Sequence, residues 1–223
     1  MKKLIMMAAL AVAVIGGASA QKRISFRADA AVGFSAGDYK VESIGDFAGK
    51  TIVGYRFSGN VEVPLSAGLY VSPGLAFQSK GTKTDLAGIA LAGIGLKSLK
   101  MQTHYVEIPV HLGYRVNLLN LLSVAVQAGP YFSYAISNEA TGTNANGSTV
   151  DIYQQGLSQL TVKGNKFDMG LGAAAMVEYS KMYLLVGADF GLVNSLKEVT
   201  ALGQDVDATL KNTSFHVGLG VRF

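Results

Sequence analysis

His111, His216, Glu107 and Ser214 are the residues of this 223-residue sequence whose types could cut a bond or hold a metal. An imidazole can ligate zinc or relay a proton, a carboxylate can orient it, and a serine hydroxyl can attack a carbonyl carbon. Their spacing does not organise that chemistry. No His-x-x-x-His pair offers two ligands from one helical turn, and no carboxylate sits in a characteristic partner motif. Cysteine is absent, which removes disulfides, thiolate metal sites and thiol catalysis. The expectation is no catalytic residue, no metal and no cofactor.

The same histidines belong to a larger set: Arg27, Asp29, Arg56, Glu62, Glu107, His111, Arg115, Asp168, Glu178, Asp189, His216 and Arg222. Each stands on the polar side of a segment in which apolar and polar residues alternate. That period of two belongs to the β-strand, whose successive side chains point to opposite faces. About eight such segments can be read, at residues 24–34, 55–65, 69–80, 105–116, 122–137, 167–179, 182–192 and 214–223. In the first, Phe26, Ala28, Ala30, Val32 and Phe34 oppose Arg27, Asp29 and Gly33. In the last, Phe215, Val217, Leu219, Val221 and Phe223 oppose Ser214, His216, Gly218, Gly220 and Arg222.

The connections sort by length. Residues 66–68, 117–121 and 180–181 form short links, and residues 36–53, 81–103, 138–166 and 193–211 form long ones. Short and long alternate, which is the signature of an up-and-down antiparallel barrel with tight turns at one end and extended loops at the other. A Greek-key sandwich does not sort its loops this way.

Alternation alone does not say which face looks inward. The polar face is crowded with Gly, Ala and Ser, which suit a narrow lumen and would be wasted on a wet surface. Lysine is nearly missing from it: Lys40, Lys50, Lys83, Lys97, Lys100, Lys163, Lys181, Lys197 and Lys211 read as loop or turn residues, and Lys80 and Lys166 as strand ends. Aromatics gather at both rims. Phe34, Tyr55, Phe77, Tyr134, Phe167 and Phe190 lie toward the long loops, and Tyr114, Tyr179 and Phe223 toward the short turns. Two aromatic girdles around an aliphatic band mark a barrel that faces lipid. The expected fold is therefore an all-β transmembrane barrel of about eight strands, with short periplasmic turns, long extracellular loops and the charged set enclosed in its lumen.

The N-terminus agrees with export. Lys2 and Lys3 precede an apolar run from Leu4 to Ile15 and then Ala18-Ser19-Ala20, the pattern of a cleavable secretory signal. Residues 1–20 read as the signal peptide and 21–223 as the barrel domain. Without the leader 17 basic residues face 15 acidic ones, a balance unlike that of a nucleic-acid-binding protein. The alternating segment that ends at Phe223 reads as the C-terminal signal by which barrel-assembly machinery takes up an outer-membrane strand.

The stretches HYVEIPVHLGYRV, AGPYFSYAIS, KFDMGLGAAAMVEY and KNTSFHVGLGVRF resemble, in order and spacing, the PorT-like outer-membrane β-barrel family, often labelled a porin family. Ile108-Pro109 and Gly129-Pro130-Tyr131 carry the most specific part of the likeness. The resemblance implies an outer-membrane location and an eight-stranded barrel of the OmpA/OmpX kind, and it transfers no catalytic residue. In so small a barrel the charged set is expected to pair as an internal plug. The function then expected is structural, or surface interaction through the four long loops with an extracellular ligand or protein. A small diffusion channel, a component of a secretion or adhesion assembly, and a barrel-embedded hydrolase using His111 and His216 are the alternatives. The apolar stretch from Asp85 to Leu99 reads as a strand pair above the membrane or a short helix over the barrel mouth. Asn138 to Thr149 reads as a polar surface loop.

Overall fold

A computed structural model describes residues 24–41, 45–85, 96–144, 146–151, 160–201, 204–205 and 208–223. The leader over residues 1–20 and the apolar residues 86–95 lie outside them. Eight long strands form the barrel: β1 Ser25–Val41, β2 Ile52–Pro64, β3 Leu69–Asp85, β4 Leu96–Asn117, β5 Leu122–Asn144, β6 Phe167–Tyr179, β7 Met182–Gly191 and β8 Ala208–Arg222. Each pairs antiparallel with the next, and β8 returns to β1 with Arg27 opposite Arg222 and Val41 opposite Ala208. Backbone bonds between Phe26 and Phe223 extend this seam at the periplasmic end. Closure leaves the barrel no unpaired edge, which is what a bilayer demands of a sheet.

Two of the three short turns take a left-handed backbone. Ala67 and Gly68 turn β2 into β3 with φ of 50° and 86°, and Ser180 turns β6 into β7 with φ of 56°. Links of two and four residues of this sort set the register, and the register sets the faces. Along β6, Phe167, Met169, Leu171, Val177 and Tyr179 are exposed while Asp168, Gly170, Gly172, Met176 and Glu178 are buried. The wall as a whole presents Phe26, Val32, Phe57, Leu75, Leu112, Val126, Val186 and Leu219 outward. So continuous an apolar surface belongs in hydrocarbon. Val63 departs from that alternation: it follows the inward Glu62 and is itself 1% exposed.

Three cross-strand pairs shape the interior. Tyr70 faces Gly113, Tyr131 faces Gly170 and Tyr183 faces Gly220 in the register. A methyl group on Gly113 or Gly220 would sit 2.2 Å from the partner ring, and one on Gly170 would sit 2.6 Å from the Tyr131 hydroxyl. The glycines give the rings their room, and the rings fill the space the glycines leave.

Above the girdle the structure corrects the loop assignments. β4 has 22 residues and β5 has 23, about twice the 9–11 needed to cross a bilayer. The segments 81–103 and 138–166, expected as loops, begin or end inside strands, and so do 36–53 and 193–211. The polar stretch from Asn138 to Thr149 belongs to a hairpin in which Thr149–Asp151 folds back on β5. Leu160–Gly164, Leu196–Ala201 and Gln204–Asp205 form a second small sheet. The lysines move accordingly: Lys40, Lys83, Lys97, Lys100 and Lys211 stand on barrel strands rather than in loops. The reason is that hydrogen-bonded pairing continues after the lipid ends, and above the bilayer both faces of a strand accept charge.

Candidate functional site: the barrel lumen

All twelve residues of the predicted polar set stand on the inner parity of their strands. Ten are buried, and Arg115 and Arg222 are half-buried toward the periplasmic mouth. They gather into two clusters.

The periplasmic cluster is centred on Glu62 and Glu178. Glu62 Oε1 lies 2.8 Å from both Arg27 Nε and Arg115 Nη2, and its other oxygen accepts from the Ser25 hydroxyl at 3.1 Å. Arg115 also grips Glu178 with two donors, Nε at 2.9 Å and Nη2 at 2.8 Å. Arg222 adds a third donor to Glu178 at 3.1 Å. The planar guanidinium fork suits this bidentate bonding in a way an ammonium could not. Arg27 further donates to Ser72 at 3.1 Å and to Gln127 at 2.8 Å, and touches the sulfur of Met176. Tyr183 donates to Asp29 at 2.9 Å, and its ring receives the Arg27 guanidinium.

The extracellular cluster is centred on Glu107 and Asp189. Arg56 Nη1 lies 2.8 Å from Glu107 and 3.6 Å from Asp189. Lys80 Nζ lies 3.3 Å from Glu107 and 3.4 Å from Asp189, over the ring of Tyr131 at 4.1 Å. Gln78 and Ser133 also donate to Glu107, Ser133 at 2.9 Å. Tyr131 donates to Asp168 at 3.4 Å. Tyr70, Ala125, Met176, Tyr183 and Leu185 supply the apolar part of the interior.

Lys80 is the main correction to the sequence reading. Expected at a strand end, it is 1% exposed and bridges two carboxylates. A signal existed, since Tyr70, Ser72, Gly74, Gln78 and Lys80 share one parity.

His111 and His216 line one small cavity together with Asp189 and Ser58. His111 Nδ1 meets Gln127 Nε2 at 3.1 Å, and His216 lies against Gly187. Among the described residues no three His, Asp or Glu side chains converge as metal ligands. His104, expected at a loop boundary, lies within β4, where its Nδ1 is 2.8 Å from the Tyr55 hydroxyl. The sequence does contain one Gly-x-Ser-x-Gly string, Gly33-Phe34-Ser35-Ala36-Gly37, whose Gly33 opposes His216 and whose Ser35 opposes Ser214 across the β1–β8 seam. A nucleophile elbow needs a sharp turn between strand and helix. Here the string runs through the middle of β1, and the Ser35 hydroxyl, 1% exposed, accepts the Gly81 N–H at 2.8 Å.

Between the clusters, Arg27, Asp29, Arg56, His111, Gln127 and His216 line a cavity of about 20 Å³, room for roughly one water. A second cavity of about 20 Å³ lies higher, beside Lys80, Tyr105 and Asn212.

A ring of eight antiparallel strands with an apolar outer wall and an ionic interior is matched by the outer membrane protein beta-barrel domain family over residues 19–199. The chain belongs to that family. No curated protein sequence matches it. Among solved structures, the outer membrane protein OprG from Pseudomonas aeruginosa is similar at 11% identity and a TM-score of 0.54. That match covers 90% of this chain and 95% of OprG. A major outer membrane protein from Thermus thermophilus is similar at 14% identity and a TM-score of 0.49, covering 91% of this chain and 100% of its own. Neisserial surface protein A gives 13% identity, a TM-score of 0.47 and coverage of 91% and 100%. This outer-membrane barrel therefore stands with its apolar wall in lipid, its short turns in the periplasm and its long strands carried outward.

Proposed function

We propose that the protein is a non-enzymatic outer-membrane barrel that works through the strand extensions it raises above the membrane, on a lumen closed to solutes. The observation that carries this reading is the lumen. Arg27, Arg56, Lys80, Arg115 and Arg222 are nearly balanced by Asp29, Glu62, Glu107, Asp168, Glu178 and Asp189, and the cavities left among them hold about one water each. A side chain that is ion-paired on two sides is costly to displace, so the plug resists opening. The extensions on β3, β4 and β5 are then the part free to meet an extracellular ligand or protein. The PorT-like sequence elements support the same reading. So does the leader over residues 1–20, which would bring the chain to the assembly machinery that reads Phe223.

Planar-bilayer recording on the refolded full chain tests the closed lumen. The reading expects a flat current at moderate voltage. Stepwise openings of uniform size would instead establish the small diffusion channel.

A further inference from the structure

Lys50, Lys83 and Lys100 stand side by side in one transverse row on the outer wall. Lys50 opposes Lys83 across an isolated bridge, and Lys83 opposes Lys100 across the β3–β4 pair. Directly opposed residues share a face and sit about 5 Å apart at Cβ, where like charges repel. The face is the outer one: the pairing from Phe77 with Val106 to Lys83 with Lys100 keeps an unbroken register, so Lys83 shares the parity of the exposed Phe77. All three lysines are exposed. Among the described residues one carboxylate pairs with them. Asp85 lies 2.5 Å from Lys50, and Lys97 stands in the field of the same carboxylate. Glu139 is one step nearer the membrane, 3.5 Å from His104. Among the described residues Lys83 and Lys100 have no ion-pair partner.

Three opposed ammonium groups with a single shared counter-charge are unfavourable in isolation and favourable around a multivalent anion. Their height says where that anion comes from. Lys83 is six residues beyond Phe77. At about 3.3 Å per residue on a strand tilted by roughly 40°, the row stands about 15 Å above the girdle. The Lys83 and Lys100 stems can lean back toward the lipid by about 6 Å, which lowers their ammonium groups to about 9 Å above the girdle, toward the headgroup layer, while Asp85 holds the Lys50 ammonium outward.

We propose that the row formed by Lys50, Lys83 and Lys100 is a docking site for phosphate groups of anionic lipid in the surrounding outer leaflet. The site requires only the barrel's placement in the membrane, and it stands whether or not the lumen conducts. Basic side chains clustered at a membrane surface are held by such headgroups, each contributing independently. Bound lipid would clamp β3, β4 and the residues leading into β2 together above the bilayer, where apolar burial no longer holds them.

The test refolds the full chain into neutral phosphatidylcholine discs containing a small fraction of bisphosphorylated lipid A. Lipid retained per barrel is then counted by native mass spectrometry. Wild type is expected to retain the bisphosphorylated lipid in preference to its dephosphorylated form. Lys83→Gln/Lys100→Gln should retain roughly tenfold less or lower. Lys83→Arg/Lys100→Arg should retain it as wild type does, which separates lost charge from lost folding. Lys181→Gln, at the exposed periplasmic turn, should change nothing. Equal retention of the dephosphorylated lipid, unchanged retention by the glutamine pair, or displacement of the lipid by millimolar inorganic phosphate would overturn the proposal.

Discussion

Val186 and Gly187 are neighbours in the middle of β7, yet they meet different solvents. Val186 is 51% exposed on the outer wall, whereas a methyl group added to Gly187 would land 2.3 Å from His216 Nε2. The outer wall tolerates any side chain that lipid accepts, so its residues are interchangeable in kind. The lumen fixes volume, charge and hydrogen bonding together, so its residues are not. One strand thus carries two rules on alternate positions, and breaking each rule has its own cost.

Gly187→Arg should have the largest effect, because the lumen has no space for the side chain and no unengaged carboxylate beside it. The expected result is loss of the compact, heat-modifiable band on a gel of unboiled protein. Glu107→Ala comes next. It strips Arg56 and Lys80 of a shared carboxylate in a dry interior, which should cost about 3–5 kcal/mol in a urea folding titration in vesicles. Val186→Arg or Val126→Arg, on the lipid face near mid-membrane, should cost about 2–4 kcal/mol in the same titration. If Gly187→Arg and Val186→Arg are tolerated equally, the two-sided account of the strand fails.

The smallest effect is expected above the membrane. The Lys50 hydrogen bond, with the fields of Lys50, Lys83 and Lys97, holds the Asp85 carboxyl below its ordinary range. A carboxyl lowered in the folded state contributes above its unfolded value, near 3.9, and that contribution is lost as pH falls through the lowered one. Lys50→Gln should move the Asp85 titration, followed by NMR, back up toward the ordinary value and leave the urea midpoint in place.

The contrast also explains what could be read from sequence. Parity was legible because lipid on one side and a cramped lumen on the other impose it locally: Leu184 and Leu219 are outward, Tyr183 and Gly220 inward, with no knowledge of partners required. Strand length was not legible. Beyond the girdle, Thr82 faces in and Lys83 faces out, both polar, so alternation fades while pairing continues. Lys80 was missed at that same boundary. The ion pairs themselves lie beyond local pattern, since Arg115 meets Glu178 across 63 residues and Arg56 meets Glu107 across 51. Parity places Met176 and Leu185 inward with Glu178 and Tyr183, but it does not foretell that they share one apolar cluster with Tyr70 and Ala125.

Nitroxide labels at Leu184 and Leu219, which oppose each other across the β7–β8 pair, reach the central claim most directly. In bilayers, power-saturation measurements should show both labels relaxed by dissolved oxygen and shielded from a water-soluble nickel complex. Strong relaxation by the nickel complex at either site would place water where the wall is held to meet acyl chains, and would contradict the arrangement of the barrel.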